Sequence, residues 1–186
     1  MIRELRLYTI SDLYIQFLNR HDKRVSSNKE DNRRFERKYL GTVLNVDGID
    51  YFVPLASPKD SDYYLDSNGN KVVRKSIIPI LRILHKERNG DVNFLGTLRF
   101  SNMLPVLESE ICLYDFLSES DLQYKDMVLK QWAFIRQNKN RIYKHARTIY
   151  GQKVNIDEDI GYLKNTVDFK LLEQKMQEYI INDQED

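Results

Sequence analysis

Three observations predict an α+β fold. Short runs that alternate apolar and polar residues recur between residues 5 and 116, each bounded by turn residues. Two of these runs are joined by Asp47-Gly48, a pair suited to a two-residue type I′ hairpin. After residue 116 the apolar positions change to helical steps of three, four and seven.

The elements follow in order. Residues 5–10 read as a strand, and Ser11 is placed to cap a helix to about Arg20 with Leu13, Phe17 and Leu18 on one face. Residues 22–36 are polar, charged and without periodicity, a loop of the length that usually carries function. Runs 38–46 and 49–55 form the hairpin. Pro58 leads the chain out of the second strand, and residues 66–70 make a flexible turn. Runs 77–84 and 92–100 read as a second antiparallel pair around Asn89-Gly90-Asp91, with Pro79 limiting the first to an edge or a bulge. Residues 110–116 give one more strand, where the single cysteine, Cys112, reads as a small buried hydrophobe. Ser120 and Gln123 fit a capping box for one long basic helix, about 121–150, ending at Gly151. Val128, Trp132, Ile135, Ile142, Ala146 and Ile149 form its apolar stripe. An acidic helix, about 168–181, lies in an acidic C-terminus of about 155–186. The 186 residues suit one domain.

Composition removes several classes. Hydrophobic residues at 41% suffice for a core. The apolar run 76–84 is broken by Pro79 and Arg82, well short of the roughly 20 residues of a membrane span. The N-terminus is charged from its third residue and has no apolar signal region, so a cytoplasmic protein is expected. One cysteine permits no internal disulfide and no cysteine-rich zinc site.

The formal charge of +1 conceals segregation. Residues 20–38 carry +4, residues 136–153 carry +6 without a single Asp or Glu, and residues 154–186 carry −6. A basic stripe is the footprint of a phosphate-backbone binder, although a solvated helix face gives the same pattern.

Most catalytic constellations are missing. There is no P-loop, dinucleotide glycine fingerprint or nucleophile elbow. Asp47 and Asp50, the carboxylates nearest to a metal pair, are accounted for by the hairpin turn, so neither metal nor cofactor is expected. His21, His85 and His145 are scattered and read as surface or structural residues, with His145 in the basic helix within reach of a phosphate. One segment stands out, residues 54–59, where a strand ends and Ser57 and Lys59 are presented two residues apart around Pro58. By spacing alone it is also an ordinary proline turn with a solvated lysine.

The succession RKYLGTVL (37–44), DGIDYFVPLASPK (47–59) and GTLRFSNMLPV (96–106) resembles the ToxN/AbiQ family of type III toxin-antitoxin toxins, with likeness to its CptN branch. The match runs in order from about residue 5 to residue 150. The resemblance implies a strongly bent antiparallel sheet, or partial barrel, surrounded by helices and related to the Kid/MazF toxins. It implies a metal-independent endoribonuclease that acts on mRNA. It also implies a partner, a small repeated antitoxin RNA, expected as a pseudoknot that closes a cyclic, trimeric assembly with the toxin.

Carried over residue by residue, Ser57 and Lys59 occupy the serine and lysine of the family's catalytic segment. Ala56 stands where many members have threonine, and Arg33 where members often carry a tyrosine, with Phe35 close by. Arg37 or Lys38 maps to the basic residue before the first strand of the hairpin. On this basis Lys59 is expected to stabilise the phosphorane or protonate the leaving oxygen. Ser57 would orient the scissile phosphate, and Arg37 or Lys38 would hold a neighbouring one. Arg33 and Arg34 in the loop, together with Ala56, add RNA contacts. Arg136, Asn140, Tyr143, Lys144 and Arg147 are expected to grip the antitoxin, with Tyr143 available to stack on a base. The rival class is a non-catalytic RNA- or DNA-binding module using the same basic helix, which needs neither Ser57 nor Lys59.

Overall fold

The computed structural model describes residues 5–28, 35–155 and 160–183. The expected RNA contacts Arg33 and Arg34 lie outside the described residues. Strand β1 (Arg6–Ile10) enters helix α1 (Asp12–His21) through Ser11, whose hydroxyl accepts the Tyr14 amide at 3.2 Å and donates to Glu110. The buried face of α1 is Tyr14, Ile15 and Leu18, whereas Leu13, expected inside, is 73% exposed. The Tyr14 hydroxyl fixes that rotation, because it donates to the Pro105 carbonyl at 2.9 Å.

Strands β2 (Tyr39–Val46) and β3 (Ile49–Ala56) form the expected hairpin. Val46 faces Ile49, so Asp47 and Gly48 alone make the turn, at φ 51° and 88°. Positive φ at both positions is the requirement of a type I′ turn. The register slips between Leu40 and Leu44, where a Cβ on Gly41 would stand 2.1 Å from the Phe52 ring. A slip of this kind bends a strand.

Strands β4 (Tyr63–Leu65) and β5 (Lys71–Val73) form a separate ribbon, followed by β6 (Ile80–Lys86), β7 (Val92–Arg99), β8 (Leu104–Pro105) and β9 (Ile111–Leu113). The main sheet runs β6-β7-β3-β2-β1-β9, antiparallel throughout, with β8 also on β3. One side of β3 is shared: Tyr51 and Phe52 pair with β8, then Leu55 and Ala56 pair with β7. The sheet therefore changes partner along one strand. Among the described residues it stays open, with β6 and β9 at its edges. As Pro79 requires, β6 begins only at Ile80 and lies at an edge. The strand expected over 110–116 shrinks to three residues. Cys112 is exposed there, contrary to the buried reading, because among the described residues the edge strand β9 has a neighbour on one side only.

The long basic helix is two helices, α2 (Leu122–Gln137) and α3 (Lys139–Asn155). Asn138 separates them: its backbone leaves helical geometry, at φ −113° and ψ 19°, and its side chain donates at 2.8 Å to the Phe134 carbonyl that its amide also meets at 3.1 Å. This is local capping by an Asn side chain, which competes with helix continuation. The N-cap is Asp121, which accepts the amides of Gln123 and Tyr124, in place of the Ser120–Gln123 box. The helix passes through Gly151, where φ is not positive, and continues to Asn155. The apolar stripe is confirmed inside, with Val128, Ile135, Ile142, Ala146 and Ile149 buried and Trp132 half-buried. Helix α4 (Phe169–Asp183) packs against α1, α3 and β8. Among the described residues no helix is long and apolar enough to cross a membrane.

Glu173 ties α4 to the rest. Its carboxylate accepts the hydroxyls of Tyr51 and Tyr150, each at 2.7 Å, and the Lys170 ammonium at 2.8 Å. Burial by itself raises the Glu173 pKa, but these hydrogen bonds outweigh it and hold the carboxyl below its ordinary value. Asp22 behaves alike: burial raises it, and hydrogen bonds from the Arg24 side chain and the amides of Asp168 and Arg24 bring it down. A carboxyl whose folded pKa is depressed contributes stability above the unfolded pKa and loses it as pH falls through the folded one. Thermal melts should therefore show wild-type stability declining as pH falls through and below about 4. Glu173→Ala should cost about 2 kcal/mol at neutral pH, from the stranded Tyr51 hydroxyl and the lost bond to Tyr150, and should flatten that acid decline. An unchanged decline in the variant would contradict the assignment.

Candidate active site

The end of β3 is built by β7. Ala56 pairs with Thr97, and Gly96 beside it adopts φ 134°, where an added Cβ would stand 2.6 Å from the Ala56 carbonyl oxygen. Only glycine lets the strands approach this closely. Beyond Ala56 sheet pairing stops, Pro58 offers no N–H, and Ser57, Pro58 and Lys59 are all exposed. A short helical turn follows, in which the Asp62 amide donates to the Lys59 carbonyl at 2.9 Å. The Lys59 amide donates to the Asp62 carboxylate at 3.0 Å. The residue pair singled out by sequence is thus held at a strand end and presented outward.

Beside it opens a cleft of about 480 Å³. Arg37, Lys38, Leu55, Ala56, Ser57 and Pro58 form one wall and the floor, and Lys59 stands just beyond the Pro58 rim. The opposite wall is the first turns of α2, from Asp121 to Gln131. There Tyr124 stacks on Phe35, with ring centroids 3.8 Å apart and planes 11° from parallel. Gln131 anchors this wall by donating to the Leu95 carbonyl at 2.7 Å. Of the expected catalytic residues, the structure brings Arg37, Lys38 and Ser57 to one cleft, whereas Lys59, next in the chain after Pro58, is exposed and does not line it.

The two neighbouring cations differ. Arg37 is 2% exposed, and its Nε and Nη1 donate to the carbonyls of Ser27 at 3.2 Å and Leu55 at 3.4 Å. It braces the wall between the loop and β3. The Lys38 ammonium lies 4.7 Å from the Tyr114 ring centre and 4.0 Å from Glu36. Burial lowers its pKa, with Glu36 and Glu119 acting in the opposite sense.

The basic face divides at Asn138. Arg136, at the end of α2, lines a second cleft of about 490 Å³ with Trp132 and Lys139. Asn140, Lys144 and Arg147 are exposed on α3, at helical spacing that places them on one face. Tyr143 is half-buried against the core, so less of its ring is presented than an outward stacking residue would offer. His145 is the structural residue that its scattered position suggests, and is not placed to meet a phosphate: it is 7% exposed, with Nδ1 2.8 Å from the Ile78 carbonyl oxygen. Burial lowers its pKa.

Sequence reasoning missed the α2 wall, the stack of Phe35 on it, the role of Gly96 and the Asp62–Arg82 pair. Gly96 carried a signal, a glycine inside a strand pattern, which marks a bulge or a close backbone approach. Sequence position gave no sign that Tyr124 and Phe35 meet.

The fold that places this strand end beside the cleft is shared with known proteins. The family model described as "Toxin ToxN, type III toxin-antitoxin system" matches residues 6–177, and the chain belongs to that family. It is 32% identical to Endoribonuclease AbiQ of Lactococcus lactis subsp. lactis, over 92% of this chain and 87% of that one. It is 29% identical to Endoribonuclease ToxN of Pectobacterium atrosepticum, over 94% of each. A solved structure concerned with selective toxin inhibition by a non-coding RNA pseudoknot superposes with a TM-score of 0.74 at 28% identity, covering 95% of this chain and 98% of that chain.

Proposed function

We propose that this chain is the toxin of a type III toxin-antitoxin system, an endoribonuclease that cleaves RNA without a metal ion and serves in abortive anti-phage defence. The observation that carries the reading is the outward presentation of Ser57 and Lys59 at the end of β3, beside the cleft. A passive RNA-binding module does not require a hydroxyl and an ammonium at this strand end.

The reaction is intramolecular. The ribose 2′-oxygen attacks the adjacent phosphorus as its proton leaves, the bond to the 5′-oxygen breaks, and that oxygen takes up a proton. The products are a 2′,3′-cyclic phosphate and a 5′-hydroxyl. The chain's contribution is in-line geometry and charge stabilisation. Lys59 faces the phosphorane or the leaving oxygen, Ser57 orients the scissile phosphate, and Lys38 or Arg37 supports its neighbour. The engagement of Arg37 on two carbonyls favours Lys38 for a direct role. Ala56 contributes backbone to the floor, without the hydroxyl of a threonine.

The inhibitor is a small repeated RNA, a pseudoknot, closing a cyclic trimer with three toxin chains in the cytoplasm. Residues 1–186 act as one toxin domain, its bent sheet related to the Kid/MazF toxins. Arg33, Arg34, Arg136, Asn140, Tyr143, Lys144 and Arg147 hold this RNA. Expression of the chain should arrest bacterial growth, and co-expression of its antitoxin RNA should relieve the arrest. Neutralising Arg136, Lys144 and Arg147 together should weaken antitoxin binding by about tenfold or more and flatten its salt dependence. Unchanged affinity would remove the basic helices from the interface. RNA binding without arrest or cleavage would favour the non-catalytic module.

A further inference from the structure

A buried ion pair lies behind the exposed turn that carries Lys59. Asp62 and Arg82 meet at 3.0 Å, with side chains 3% and 5% exposed. One Asp62 oxygen takes the Arg82 guanidinium, and the other takes the Lys59 amide at 3.0 Å. The Asp62 amide donates to the Lys59 carbonyl at 2.9 Å, so both backbone polar groups of Lys59 end on one residue. Arg82 is fixed from its own side. Its Nη1 donates to the Lys75 carbonyl at 2.6 Å and its amide to the Ser76 hydroxyl at 2.9 Å, within strand β6 and the turn before it.

Withdrawing two charges from water is expensive, and an apolar pair of similar volume often serves stability as well or better. A buried pair is useful where one conformation must be specified. Ser57, Pro58 and Lys59 lie beyond the last β3–β7 pairing and are exposed, so the sheet does not hold them. The conformation specified here is the Lys59 backbone.

We propose that Asp62, locked by Arg82, is a positioning residue for the cleavage reaction, which fixes the Lys59 backbone so that the ammonium is aimed at the scissile phosphate. The proposal rests on the reading of Lys59 as the phosphate-facing group. Asp62 itself touches no reacting atom.

The test separates positioning from stability by two paired replacements. Asp62→Asn with Arg82→Gln keeps an oxygen for the Lys59 amide and should retain kcat within about threefold. Asp62→Leu with Arg82→Met keeps the packing, removes that oxygen, and should lose about 10- to 100-fold in kcat with KM unchanged. Circular-dichroism melts establish a temperature at which both are folded. Asp62→Ala with Arg82→Gln replaces the apolar pair if that one does not fold. In a Lys59→Ala background the same replacements should cost nothing further. Wild-type kcat in the oxygen-free variant, or a loss that adds in full to that of Lys59→Ala, overturns the proposal. A Lys59→Ala variant that cleaves like wild type takes down both the proposal and the reading beneath it. A Lys59→Ala variant that is slowed but still measurable, with losses that add in full, takes down the positioning role alone.

Discussion

Lys59→Ala is expected to lower RNA cleavage by about 10³-fold, comparable to the loss of an electrostatic stabiliser aimed at a charge that develops in the transition state. Lys59 is exposed, and its backbone, which makes the contacts to Asp62, is kept in alanine. The melting temperature should therefore move by no more than about 2 °C. In cells the variant should no longer arrest growth, while the purified protein still binds antitoxin RNA. Single-turnover cleavage of a short RNA, with a melt on the same preparation, measures both quantities. A folded variant that retains wild-type turnover would remove Lys59 from the mechanism.

Gly96→Ala should have the largest effect on stability and activity together. The residue sits at φ 134°, and the new methyl group would stand 2.6 Å from the Ala56 carbonyl oxygen. Backbone strain and overpacking together should cost about 3 kcal/mol, a fall of about 9 °C in Tm. Relief of the clash pushes Ala56, and with it the exit to Ser57, away from β7. Cleavage measured well below the transition should therefore fall more than the folded fraction does. Loss of stability with full activity in the folded fraction would show that β7 does not set the position of Ser57.

The two predictions differ in how far the sequence revealed their residues, and the difference is physical. The β2–β3 hairpin was legible because its turn depends on two adjacent residues, which carry positive φ as expected. The segment 54–59 was legible for the same local reason: a strand followed by proline has to leave the sheet. The cleft is non-local. Its far wall comes from Tyr124 and Gln131, and the stack with Phe35 joins residues separated by most of the sheet.

Charge was the least legible property. In the sequence Arg37, Asp62 and Arg82 look like solvated charges, yet each is at most 5% exposed. Burial depends on which strands pair, and no short window holds that information. The long basic helix failed for a smaller reason. Its apolar spacing persists across Asn138, so periodicity alone could not show that an Asn side chain caps the turn before it.

The central claim is that the chain itself, through Ser57 and Lys59, cleaves RNA by attack of the 2′-hydroxyl. Its most direct test is incubation of the purified protein with RNA in EDTA, followed by end-group analysis of the fragments. Cleavage should survive EDTA and leave 2′,3′-cyclic phosphate and 5′-hydroxyl ends. Cleavage that stops in EDTA and returns with a divalent cation, or fragments bearing 5′-phosphates, would contradict it.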